Sequence, residues 1–339
     1  MSEKKWIKYW FLFLMIIPII GLFNYIIDPF QQYRQAKLYK VYYNSSFSRY
    51  LNSGMIKTYN YDSIAIGSSM IANFKIDELK TIIENPIKLR ISNGSAYEYF
   101  ITLNSVLENN KNIKTIFLGL DVFSFSGKID RLNYNNMDFP KYLYDNNIFN
   151  DFKYLVSFDI LKESLKSLFR SYYYSNDPKF DFNTMYFLEA SNNGVDLLLE
   201  KNLYKLFNKN SYKLEQLKES FNFNILSIIK KNPQIKFIIF YPPYSINLFK
   251  YLNRNSQLKT TMDFKYYIAK TLLEYNNVEL YDFQNNIELI TNTNLYYDFI
   301  HYNETVNSFI INSIKNEKKY KVNYKTYKDK TNIFLHLTI

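Results

Sequence analysis

Five short apolar runs, each stopped by turn-forming residues, limit the architectures open to this chain. They are Ser63-Ile-Ala-Ile-Gly67, Ile87-Lys-Leu-Arg-Ile91, Thr115-Ile-Phe-Leu-Gly119, Lys236-Phe-Ile-Ile-Phe240 and Val278-Glu-Leu-Tyr281. Their shortness and β-branched content read as buried strands. Between them, Phe100, Leu103 and Leu107 recur at helical spacing, as do Val306, Phe309, Ile310 and Ile314 near the end. Strands alternating with helices predict an α/β, three-layer, flavodoxin-like sandwich with a mainly parallel sheet of about five strands. Working residues of such sheets gather beyond the carboxyl ends of the strands.

The domain boundaries follow. Residues 61–316 hold the sheet, with a long insertion at 128–232 between the third and fourth runs. Leu161, Leu165 and Leu168 mark a helical stripe in it. The insertion is extra packing around the sheet, or a lid or docking surface for a membrane partner. Residues 317–339 form a basic tail ending in an apolar stretch from Ile333 to Ile339.

Residues 1–29 read as a cytoplasmic tip and a transmembrane anchor, and 30–60 as a connector. No charge occurs from Tyr9 to Ile27, a length that roughly matches a ~30 Å hydrocarbon core. Trp6, Trp10 and Tyr25 sit where interfacial aromatics belong, and Lys4, Lys5 and Lys8 favour a cytoplasmic N-terminus. No small-x-small cleavage site precedes Asp28-Pro29, which favours an uncleaved anchor over a signal peptide. The expected location is therefore the cell membrane, single-pass, with the body extracytoplasmic.

Charge and composition exclude other classes. The net charge of +11 is concentrated at the ends, with +5 from Lys315 to Lys330 and +2 in the first eight residues, which leaves +4 on the body. No groove-reading or base-stacking motif accompanies it, so nucleic acid is not an expected partner. The absence of Cys removes disulfides and thiolate chemistry. With only His301 and His336 present, no multi-histidine metal site is expected. No cofactor is expected either.

Candidate chemistry stands at the run ends. The first run ends in Gly67-Ser68-Ser69. A serine at a tight strand-to-helix turn exposes its hydroxyl, and the same turn can stabilise an oxyanion. The second leads into Ser92-Asn93-Gly94, where a glycine lets backbone approach a ligand. The third leads into Gly119-Leu120-Asp121; an Asp there often only braces a loop. Just before the final helix, Asp298 and His301 lie three residues apart. That spacing lets a carboxylate accept from imidazole Nδ1 and leaves Nε2 to take a serine proton.

In this order, Gly67-Ser68-Ser69, Gly94, Gly119-Leu120-Asp121 and Asp298-x-x-His301 resemble the blocks of the SGNH (GDSL-like) hydrolase superfamily over residues 61 to about 314. With the Asp28-Pro29-Phe30 exit, the chain looks most like membrane-anchored members linked to D-alanyl-lipoteichoic acid synthesis and polysaccharide O-acetylation. The resemblance implies an acyl-esterase or acyltransferase that moves an acetyl or alanyl group, through an acyl-enzyme, on a cell-envelope polysaccharide or teichoic-acid-like polymer. A multi-spanning membrane acyl carrier would be its partner. Ser69 would be the nucleophile, His301 the base and then the acid, and Asp298 its orienter. The N–H groups of Ser69 and Gly94 would form the oxyanion hole. Two positions depart from the family pattern: Ser68 replaces an Asp, and Asp121 stands where Asn usually donates to the oxyanion. An ionised Asp121 would repel that charge. Asp121 then points away, or Asn93 supplies the donor, or activity is weak. The last case leaves a second reading, a weakly active or inactive SGNH-like protein that binds envelope glycan or a membrane partner.

Overall fold

A computed structural model describes residues 3–132, 139–188, 203, 207–208 and 210–327 of the chain. The protein divides into two compact units. One comprises Met1–Tyr59 with Pro140–Phe182, the other Asn60–Phe139 with Asn183–Ile339.

The second unit is an α/β fold. Its strands are β1 (Ser63–Gly67), β2 (Pro86–Arg90), β3 (Thr115–Gly119), β4 (Lys236–Tyr241) and β5 (Val278–Asp282). They form one all-parallel sheet in the order β2-β1-β3-β4-β5, with helices on both sides. Almost every strand residue is buried. This explains the near-continuous apolar residues of β1, β3 and β4; β2 instead alternates, with Lys88 and Arg90 buried as well. On one face Phe117 of β3 and Phe240 of β4 stack at 4.8 Å, and Phe74 meets both edge-on at 5.5 and 5.7 Å. Burying one such ring contributes about 1.5–3 kcal/mol.

Helix starts follow local capping chemistry. Ser95 and Glu98 form a reciprocal capping box at the helix Ala96–Asn109, and Asn303 caps the closing helix Glu304–Asn312. Each cap satisfies backbone N–H groups that the first helical turn leaves without partners.

The first unit holds the N-terminal helix Glu3–Ile27 and the helices Ser48–Thr58, Phe152–Leu155 and Phe158–Tyr173. Among the described residues, no helix is long and apolar enough to cross a membrane. The N-terminal helix ends at a buried carboxylate. Asp28 has a φ of 49° and accepts the N–H groups of Gln32, Tyr33 and Arg34 and the Tyr154 hydroxyl, at 2.8, 2.8, 3.3 and 3.0 Å. Burial nevertheless raises its carboxyl above the ordinary value, against those bonds. Gly54 lets the next turn pass close by: a Cβ there would lie 1.9 Å from the Phe30 carbonyl oxygen.

The helix Phe158–Tyr173 buries Ile160, Glu163, Ser164 and Ser167, while Leu165 is exposed and Leu161 and Leu168 are half-buried. The predicted leucine stripe is therefore not the packing face. The inner face is polar because it meets Asn24, whose side chain accepts from the Ser164 hydroxyl and donates to the Leu155 and Ser157 carbonyls. The apolar stretch from Ile333 to Ile339, including His336, lies outside the described residues.

Candidate active site

The strand order locates the site. From β1 the sheet grows outward to β2 on one side and through β3 to β4 and β5 on the other. Such a reversal leaves a crevice beyond the carboxyl ends of the two strands where it occurs. The register pairs Ile66 with Leu118, so Gly67-Ser68-Ser69 and Gly119-Leu120-Asp121 leave the sheet side by side. Gly67 and Gly119 give Ile71 room to fold back over them; a Cβ on either would lie 2.7 or 2.9 Å from Ile71 Cγ2.

The Ser69 turn is held from several directions. The Ser68 hydroxyl caps it by accepting the Met70 N–H at 3.1 Å. Lys88 of β2, wholly buried, donates to the Ala72 and Phe74 carbonyls at 2.6 and 2.7 Å. Burial drives the Lys88 amine well below its ordinary pKa. Phe74 itself is buried against the sheet.

At the far end of the chain, the segment Tyr296–Tyr302 closes on itself through a Tyr296–Tyr302 bridge and a bond from the Tyr297 N–H to the His301 carbonyl. The Tyr302 hydroxyl then donates to the Met70 carbonyl at 2.9 Å, which ties this segment to the Ser69 turn. The structure thereby brings Ser69, His301 and Asp298 into one hydrogen-bonded chain. Ser69 Oγ lies 2.7 Å from His301 Nε2, and His301 Nδ1 lies 2.6 Å from Asp298 Oδ2. Asp298 Oδ1 accepts the N–H groups of Ile300 and His301, both at 2.7 Å. Burial alone would raise the Asp298 carboxyl, but the His301 imidazole and those N–H bonds outweigh it and hold the carboxyl below its usual range. A proton on Nδ1 is thus favoured, and Nε2 accepts from the Ser69 hydroxyl.

No family model matches the sequence, and no curated protein matches it. Among solved structures, a provisionally named platelet activating factor from Streptococcus pneumonia matches the chain. The two share 10% identity at a TM-score of 0.42, and the match covers 79% of this chain and 90% of that one.

The expected oxyanion residues are placed as follows. Asn93 takes a φ of 50° in a tight turn where the Gly94 N–H donates to the Ile91 carbonyl at 2.9 Å. That bond would have to open before Gly94 could meet an oxyanion. Asp121 is wholly buried at the end of β3. Its Oδ1 accepts the Tyr244 hydroxyl at 2.5 Å, while Oδ2 meets no donor in good hydrogen-bond geometry among the described residues. Burial outweighs the Ser68 and Tyr244 hydroxyls and the nearby His301 imidazole, and pushes the Asp121 carboxyl up to about 6.

Ser69 and His301 border a narrow cleft, too tight to admit a water molecule, with Met70, Asn73, Leu188, Tyr302 and Asn307 around it. Sequence reasoning passed over Asn73 and Asn307. The signal for Asn307 was present: it is a polar residue among the inward positions Val306, Ile310 and Ile311 of the closing helix. Among the described residues, no cluster of His, Asp and Glu is arranged to hold a metal ion.

Proposed function

We propose that the protein is a serine acyl-esterase or acyltransferase acting on a cell-envelope polymer. The observation that carries this reading is the hydrogen-bonded chain Ser69–His301–Asp298, with links of 2.7 and 2.6 Å. In the first half-reaction Ser69 Oγ attacks the ester carbonyl carbon while His301 Nε2 takes its proton. Asp298 stabilises the resulting imidazolium. Collapse of the tetrahedral intermediate expels the alcohol, which receives that proton from His301. In the second half-reaction a hydroxyl of the acceptor polymer, or water, gives its proton to His301 and attacks the acyl-Ser69 ester. Ser69 Oγ leaves and recovers a proton.

The membrane is where this chemistry would occur. The uncharged run from Tyr9 to Ile27 supports an anchor, and the three lysines before it support a cytoplasmic N-terminus and an extracytoplasmic body. A multi-spanning acyl carrier would then deliver the acyl group at the membrane surface. These assignments rest on the sequence pattern.

The buried carboxylate of Asp121 favours a second reading, a weakly active or inactive SGNH-like protein that uses the crevice to bind glycan. A fluorophosphonate probe separates the two. It should label the wild-type protein and not Ser69→Ala. Equal labelling of both, or of neither, removes the enzymatic assignment.

A further inference from the structure

Among the described residues, the first unit leaves an apolar stripe on the helix Phe158–Tyr173 open. Phe158, Leu161, Leu165, Phe169 and Tyr172 recur every three or four residues along it, and all but Leu161 are exposed. Ile148, Phe149 and Phe152, just ahead of this helix, are exposed as well. An apolar patch of this extent marks a surface that meets another apolar phase or a partner. Asp159, Lys162 and Lys166 take the remaining outer flank. The helix therefore has an inner face, an apolar flank and a polar flank, which is the division of a helix that lies in a membrane interface.

The N-terminal helix says which phase covers the stripe. Its uncharged run from Tyr9 to Ile27 is about 28 Å long at about 1.5 Å per residue. Its last two turns are clasped: Ile20, Asn24 and Ile27 are buried, and Asn24 binds the Leu155 and Ser157 carbonyls and the Ser164 hydroxyl. These bonds fasten the helix Phe158–Tyr173 at the level of Asn24. Only the stretch from Tyr9 to Ile19, about 16 Å, precedes the clasp, and that is roughly half of a ~30 Å hydrocarbon core. The run cannot be immersed to its end without taking the start of the second helix with it. Asn24 suits that depth, because both polar atoms of its side chain are matched inside the unit, as a polar group in hydrocarbon must be. Between Pro29 and Thr58 every charged residue is basic, beginning with Arg34, Lys37 and Lys40. Such a run matches anionic headgroups just past the immersed turns. Arg34 stacks over the Tyr25 ring at 4.4 Å and, with Lys37 and Leu38, borders a largely apolar pocket of about 360 Å³ at that exit.

We infer that the helix Phe158–Tyr173 is a lipid-contacting element whose apolar stripe lies in the interface of an anionic bilayer, level with the last two turns of the N-terminal helix. The inference rests on the anchor reading and adds to it a second lipid contact, which sets how deep the first unit sits. Lipid is the occupant because the stripe is fastened to turns that belong to the uncharged run.

The chain has no Cys, so a single introduced Cys carries a nitrobenzoxadiazole label at a known site. The full chain is labelled at Leu22→Cys, Phe158→Cys, Leu165→Cys or Asp159→Cys and placed in vesicles of phosphatidylcholine and phosphatidylglycerol. All four side chains are exposed, so packing is left intact, which a circular dichroism melt in detergent checks. Spin-labelled acyl chains quench labels in lipid, and iodide quenches labels in water. Phe158 and Leu165 should lose about half or more of the emission that Leu22 loses to lipid spin labels, most strongly to those near the headgroup. Iodide should reach them several-fold less than it reaches Asp159. A quenched Leu22 with Phe158 and Leu165 open to iodide overturns the inference and leaves the anchor standing. Equal behaviour at Asp159 and Leu165 overturns it too, because the stripe then has no part in the seating. Blue-shifted emission at Leu165 that neither quencher touches marks a protein on the stripe and also overturns it. A Leu22 label that lipid does not quench removes the anchor reading and this one with it.

Discussion

Replacing Asp121 with Asn should stabilise the protein at neutral pH and do nothing for it in acid. The wild-type carboxyl is wholly buried and its pKa is raised to about 6 from an ordinary 3.8. The sign follows from linkage: a carboxyl that holds its proton more tightly in the folded state penalises folding at every pH above its folded pKa. At about 1.4 kcal/mol per pH unit, the penalty is on the order of 3 kcal/mol above pH 6 and fades to nothing below about pH 4. Asparagine keeps an oxygen for the Tyr244 hydroxyl, which lies 2.5 Å from Asp121 Oδ1, and carries no charge. Urea unfolding of wild type and Asp121→Asn, run side by side from pH 7.5 down to pH 4, reads the difference directly, because the other titrating groups cancel. The variant should lead by about 2–3 kcal/mol at the upper end, and the two curves should converge at the lower. A variant that is less stable at pH 7.5, or a gap that does not change with pH, would refute the electrostatic account of this residue.

Asp298→Asn keeps an oxygen for the Ile300 and His301 N–H groups but turns an amide toward His301 Nδ1, so ester turnover should fall by about 10⁴-fold with little change in fold. The wild-type Asp298 carboxyl, held below its usual range, stabilises the fold at neutral pH; in acid urea unfolding that contribution should be lost as pH falls from the ordinary carboxylate value to the lowered one, the opposite of Asp121. Asp28→Asn leaves an amide nitrogen facing backbone N–H groups and should lower stability by about 2–4 kcal/mol in denaturant titration. Gly54→Ala sets a Cβ against the Phe30 carbonyl, where only backbone movement can relieve the clash, and should cost on the order of 3 kcal/mol as a drop in thermal midpoint.

Much of the sheet unit was legible because its strands are almost wholly buried. Runs such as Thr115–Gly119 carry their own boundaries: apolar residues inside, Gly and Asp at the exit. The observed strands differ from the predicted ones by at most a residue at an end. Ser69, Asp298 and His301 could be singled out because local spacing and the rarity of histidine both point to them. What the sequence does not display is any contact that depends on distant elements meeting. The cap that Asp28 forms with Tyr154 and the anchoring of the Ser69 turn by Lys88 both involve residues ordinary in their own neighbourhoods. The helix Phe158–Tyr173 shows the converse error. Its leucines suggest a packing face, yet a single asparagine, Asn24, recruits the serine side instead.

The bond from Tyr302 to Met70 spans 232 residues of chain, as does the contact between Ser69 and His301. A growing polypeptide therefore carries an inert Ser69 hydroxyl until His301 has been made. The imidazole that would activate it is made 232 residues later and docks only after all five strands have been made. Pairings this remote slow folding, but under the proposed chemistry they also defer reactivity: a chain stopped or clipped ahead of His301 holds Ser69 with nothing to take its proton.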